Sequence, residues 1–230
     1  MMLAKILNRK FLAGRMAGFF TLVYMLGLAC LGWGVNDLAG FLSNPVRISF
    51  ALIAVTQALI HVWVALRLPS RPLEREPSED LEHWHYSLTE LIAILAAFGD
   101  RRNILTWAEN PSLRWAGIGI FILGSIYAIW VNLTWVNHLR QTDEHTYDDP
   151  VLLSAGPFQW TRYPILLILL LYSLGFVFLF RSRVSLFLII PLLYIIVRRA
   201  NLWEKMYSKR YKNVWALRCS TSKKIIPFLY

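Results

Sequence analysis

Residues 164–197 read "PILLILLLYSLGFVFLFRSRVSLFLIIPLLYIIV". The first arm, Pro164 to Phe180, carries no charged side chain. An α-helix of that length reaches about 25 Å at about 1.5 Å per residue, close to the hydrocarbon thickness of a bilayer. "RSR", Arg181 to Arg183, is a tight polar turn. The second arm, Val184 to Val197, returns with Pro191 inside it, where a kink is expected. The stretch is a helical hairpin built for lipid. The segments on its amino-terminal and carboxyl-terminal sides therefore lie on one side of the membrane.

The same pattern recurs outward from the hairpin. Gly14 to Val35, Val46 to Leu66 and Trp115 to Val136 are apolar runs of spanning length. "YSLTELIAILAAFG", Tyr86 to Gly99, is shorter and holds Glu90. Long polar loops fill residues 67–85 and 137–163. No internal repeat or low-complexity segment interrupts them. The first 34 residues join a basic stretch to a long apolar run without a small-residue cleavage site, as a first span or signal anchor does. The expected fold is all-α: a polytopic integral membrane helical bundle of five to six transmembrane helices. It forms a single membrane domain over 1–230, with N-terminal spans in 1–136 and a second half in 137–230.

Composition agrees. Hydrophobic residues make up 57% of the chain and mean hydropathy is +0.46, above the soluble range. The formal charge of +10 points to lipid head groups and cytoplasmic loops rather than nucleic acid. If the Tyr86–Gly99 segment spans, eighteen basic residues fall on one side and six on the other. The six are Arg47, Arg101, Arg102, Arg114, Arg181 and Arg183. The positive-inside rule then favours six spans with both termini cytoplasmic, in a bacterial inner membrane or the endoplasmic reticulum. Two cysteines, Cys30 and Cys219, make no disulfide framework.

The hairpin brings two polar segments to one membrane face: Gly156 to Tyr163, and Arg198 to Trp215. Gly156 and Pro157 allow a sharp turn and close approach to a ligand. Pro164 suits the first turn of a helix, and the amino end of that helix with Arg162 is an anion site. Glu204 is expected to face Arg162 from the other segment.

Three pieces of this half together resemble a known family. They are "LLSAGPFQWTRYPILLILLLYSLG", "RRANLWEKMYSKRYKNVW" and "KKIIPFLY". Their order and spacing are similar to the isoprenylcysteine carboxyl methyltransferase and phospholipid methyltransferase group. Gly156, Pro157 and Phe158 match its Gly-Pro-aromatic. Arg162 and Pro164 match its Arg-His-Pro, Glu204 the second of two glutamates, and Tyr211 and Trp215 the aromatics beyond. Tyr163 replaces the family's His, Leu166 its Tyr, and Trp203 its first Glu. The resemblance implies S-adenosylmethionine bound at the membrane face and a lipophilic substrate entering from the bilayer. It implies a cofactor set of Gly156, Pro157, Phe158, Arg162, Tyr163, Pro164, Trp203 and Glu204, with Arg162 also catalytic by orienting an anionic group. Trp203 can stack on adenine or meet the sulfonium. The ending around "LWEKMY" is also similar to membrane steroid and enone reductases, which implies NADPH as the alternative cofactor. A diverged, non-catalytic relative is the third reading.

Other polar residues are weaker candidates. His83 and His85 in "HWH" fall on nearly opposite faces of a helix, and no metal is expected. His61 and Glu90 lie within apolar runs, where a hydrogen bond inside the bundle competes with a functional role. "GIGIFILG", Gly117 to Gly124, reads as helix packing.

Overall fold

The computed structural model describes residues 16, 18–67, 79–141 and 153–225. The basic amino-terminal stretch, residues 68–78 and 142–152 of the two long loops and the closing Ile226-Pro227 lie outside the described residues. Among the described residues seven helices run in order: α1 (Gly18–Trp33), α2 (Leu38–Phe41), α3 (Pro45–Arg67), α4 (Glu79–Arg102), α5 (Pro111–Gln141), α6 (Pro164–Leu179) and α7 (Arg183–Thr221). Those residues form no strand, only isolated bridges such as Thr161 with Lys223.

Three helices, α3, the stretch Pro111–His138 of α5, and α7, are long and apolar enough to cross a membrane. The count is four if α1 and the bent segment Val35–Phe41 are one broken span. The first span was expected to run straight to Val35. Instead α1 stops at Trp33 and the chain bends by 85°. Gly34 makes the bend at φ 111°, where a Cβ would strike the Arg101 guanidinium. Asp37 then caps α2 by accepting from the Gly40 N–H at 3.0 Å.

The segment expected to be short is a helix of 24 residues, about 36 Å long. α4 reaches both ends of the bundle. Near its start His85 meets Arg199, and near its end Asp100 meets Arg114 and Arg181. Pro191 keeps helical φ/ψ within α7; the break falls at Lys212, with φ 42° and ψ −112°. A proline removes one N–H bond, and the helix continues through it.

The core is aromatic. Phe50, Phe121, Phe176 and Phe180 are all buried, and the Phe121 and Phe176 rings meet edge to face at 4.9 Å. Gly117 lies against the Leu179 backbone and Gly124 against Tyr172, so α5 and α6 pack closely. Gly119 meets nothing within 4 Å, so only two of the three glycines serve that packing.

The two ends carry different polar clusters. At one end Asp100, 1% exposed, accepts from Arg114 at 2.8 Å and Arg181 at 2.7 Å, with Arg47 at 3.5 Å. Glu109 bridges Arg114 and Arg181 from the surface. These arginines come from α3, α5 and the α6–α7 turn, so one carboxylate ties three elements. At the other end stand Arg162, Arg199, Arg218 and Lys224.

Candidate functional site

The second cluster starts from the turn Gly156–Gln159, a short 3-10 helix. Gly156 has φ 55°, and a Cβ there would lie 2.7 Å from the Thr134 hydroxyl. Glycine is required by both conformation and contact. Pro157 and Phe158 come next as buried wall residues. The Phe158 carbonyl accepts from the Arg218 guanidinium.

The chain beyond α7 returns to this turn. Lys223 donates its N–H to the Trp160 carbonyl at 3.0 Å, Arg162 donates to Lys223 at 2.9 Å, and Tyr163 donates to Lys224 at 3.3 Å. The amides of Arg162 and Tyr163, just before α6, are taken by the carboxyl-terminal segment and are not open to an anion. Pro164 occupies the first turn of α6 as expected, and it too is buried.

Arg162 and Glu204 are brought together. Nε of Arg162 donates to Glu204 Oε1 at 2.9 Å, with side-chain exposures of 7% and 19%. Nη1 donates to the Ser222 carbonyl and, at 3.5 Å, to that of Cys219. Nη2 has no partner among the described residues. Arg162 is thus a clasp that closes the tail over the turn, with one nitrogen left over. Glu204 Oε2 is met by the Cys219 thiol at 3.5 Å, a weak donor. Each Glu204 oxygen thus has one donor, and the one on Oε2 is weak.

Tyr163 and Trp203 also meet, ring to ring at 4.8 Å. Arg199 covers the Trp203 ring at 5.3 Å. Trp203 is therefore packed against Tyr163 and Arg199. Leu166 is wholly buried in the core. The Tyr163 hydroxyl is buried without a hydrogen-bond partner among the described residues. Burial, and then the Glu204 carboxylate nearby, push its pKa up, so it is a neutral donor at every physiological pH. Tyr207, Tyr211 and Trp215 line up beyond Glu204, with Tyr207 and Trp215 at 5.2 Å. A cavity of about 460 Å³ lies beside them, lined by Ser154, Gln159, Val214, Leu217, Arg218 and Thr221.

No family model matches the chain, and neither a curated protein nor a solved structure matches it.

Sequence reasoning missed two members of this end. Arg199 is buried, and its Nη1 lies 2.7 Å from His85 Nδ1. An arginine always carries its protons, so Nδ1 accepts and His85 bears its own proton on Nε2. Arg218 reads in the sequence only as tail charge. Both sit on α7, which continues beyond Val197 as one long helix. Carrying the helical period through "RRANLWEKMY" places Arg199, Trp203 and, one turn on, Tyr207 on one face, and that is the signal that could have found Arg199. His83, two residues from His85, is exposed on the other side of α4.

Proposed function

We propose that this chain is an integral membrane protein of six crossings whose Arg162–Glu204 end faces the cytoplasm. There it performs S-adenosylmethionine-dependent methylation of a lipophilic substrate. The observation that carries the reading is the Arg162–Glu204 contact at 2.9 Å, which joins two separate motif segments that resemble the methyltransferase group. The residues present fit the cofactor in two respects. Glu204 keeps an oxygen that accepts from an ammonium or a ribose hydroxyl, and Tyr163 keeps a buried donor with no partner among the described residues. Arg162 Nη2 supplies a cationic donor for a carboxylate.

S-adenosylmethionine, when bound, supplies an electrophilic methyl group. The chain's own work is positioning and exclusion of water. Glu204 binds, and Arg162 orients Glu204 while holding the carboxyl-terminal segment closed. Phe158, Tyr163 and Trp203 make a wall that keeps water out.

One observation favours a second reading. Arg162 has two of its three nitrogens engaged by Glu204 and backbone carbonyls, as a purely structural staple would. The chain is then a diverged, non-catalytic membrane protein. Calorimetric titration of the purified protein separates the readings. Binding of S-adenosylhomocysteine, weakened roughly tenfold by Glu204→Gln, supports methyl transfer. Binding of NADPH instead assigns the reductase-like alternative. Binding of neither at millimolar concentration leaves the staple reading.

A further inference from the structure

A second cavity, of about 690 Å³, opens among α1, α3, α4, α5 and α6. Its lining includes Ile165, the second residue of α6 and three residues after Arg162. Much of its wall is apolar, with Ile168 and Leu169 from α6 facing Ala128 and Val131 from α5. At its rim Phe20, Val23 and Ile165 are apolar and exposed, at 59%, 41% and 42%. A mouth edged by such residues faces hydrocarbon chains, not water.

Against this lining Glu90 is the single acidic side chain among the described residues. No hydrogen bond or ion pair engages it among those residues. Tyr86 stands one turn before it on the same face of α4, and the Tyr24 ring lies edge-on to Tyr86 at 6.4 Å. All three line the cavity. Tyr24 belongs to a π-helical turn, Val23–Gly27, which departs from the regular α-helical register beside the cavity. Such turns recur at functional sites. His61, also in the wall, has Nδ1 engaged by Thr21 at 2.7 Å.

An unpaired carboxylate in hydrocarbon is costly, and a cation is the partner that offsets it. Tyrosine rings beside a carboxylate add cation–π attraction for an ammonium group. We propose that this cavity binds an amine-bearing amphiphile. The ammonium sits between Glu90, Tyr86 and Tyr24, and the acyl or alkyl chain runs along Ile168 and Leu169. As a substrate site this rests on the methyl-transfer reading. As a binding site it stands on the cavity alone.

The test is photolabelling of the full chain, purified in an uncharged maltoside detergent, with no cofactor present. The probes are an oleylamine and an oleic acid carrying the same chain diazirine. The amine is expected to label α1, α4 or α6 around the cavity, roughly tenfold above the acid. Unlabelled oleylamine competes. Glu90→Gln, which keeps the side-chain shape, reduces amine labelling to the level of the acid. Ile165→Trp, at the exposed rim, reduces labelling by narrowing the mouth. Equal labelling by amine and acid, or full labelling in Glu90→Gln, overturns the proposal. Because this assay contains no cofactor, failure to bind S-adenosylhomocysteine leaves its result untouched, and the converse holds.

Discussion

Arg162 and Glu204 stand 42 residues apart in sequence and 2.9 Å apart in space. The α6–α7 hairpin separates them: Arg162 lies just before α6 and Glu204 within α7. Arg162→Ala removes the partner of Glu204 and also the bonds to the Ser222 and Cys219 carbonyls. Glu204→Gln removes only the charge and keeps an acceptor. Charged hydrogen bonds contribute about 1.5–3 kcal/mol each. Arg162→Ala is therefore expected to lower the thermal midpoint in detergent more than Glu204→Gln does. It should also release the segment at Lys223 and Lys224 to trypsin. Equal midpoints for the two variants would show that the clasp on the tail contributes nothing.

Tyr163→Phe separates folding from binding. The hydroxyl is buried without a partner among the described residues, and an unsatisfied buried donor costs about 1–3 kcal/mol. The phenylalanine variant is expected to be at least as stable as the parent. If the hydroxyl is kept for the cofactor, affinity for S-adenosylhomocysteine falls in the same variant. Differential scanning calorimetry and isothermal titration read the two effects separately. A loss of stability with unchanged affinity would assign Tyr163 to packing alone.

The hairpin was legible as two apolar helices joined at a tight turn, although its first arm, Pro164–Leu179, is shorter than the helices long enough to cross a membrane. The meeting of Arg162 with Glu204 came with it, since a helix that turns back along its neighbour returns to where that neighbour began. Gly156 was legible as a turn, though not its contact with Thr134. What escaped were bonds that no local pattern announces. Each arginine at the far end reads alone as a topology marker. Only folding shows that three of them converge on Asp100. Trp203 reads as a ligand face from its motif position, whereas its neighbours Tyr163 and Arg199 come from another loop and another turn.

Asp100 is expected to be the most sensitive position of that far end. Asp100→Asn leaves Arg47, Arg114 and Arg181 close together with only Glu109 to balance them. Removing one partner of a buried charged group costs about 3–5 kcal/mol. The variant should show a large fall in midpoint, or fail to be recovered folded. Glu109→Gln should differ sharply, because Glu109 is 57% exposed and surface pairs contribute about 0–1 kcal/mol. Comparable losses from both variants would place the weight of the cluster on the surface and not on Asp100.

Glu109 also gives a pH dependence with a definite sign. Its hydrogen bond to Arg114, against a smaller opposing effect of burial, holds its pKa below the ordinary carboxylate value. A group with a depressed folded-state pKa stabilises the fold above its unfolded value, about 4.3. That contribution is lost as pH falls through the folded-state pKa. The midpoint of the parent protein is therefore expected to decline below about pH 4.3 more steeply than that of Glu109→Gln.

Gly156→Ala tests the turn that carries the site. The residue sits at φ 55°, a conformation that costs an L-residue about 1–2 kcal/mol. The new Cβ would lie 2.7 Å from the Thr134 hydroxyl oxygen, so α5 or the turn must move. Displacement of the turn reaches Phe158, whose carbonyl Arg218 holds, and Arg162, four residues beyond Phe158. The variant is expected to lose both stability and ligand affinity. Thr134→Gly in the same chain removes the contact without relieving the backbone strain. Partial recovery of the midpoint in the double variant, with the strain term remaining, would separate steric contact from conformation as the reason for glycine. No recovery would assign the whole effect to φ.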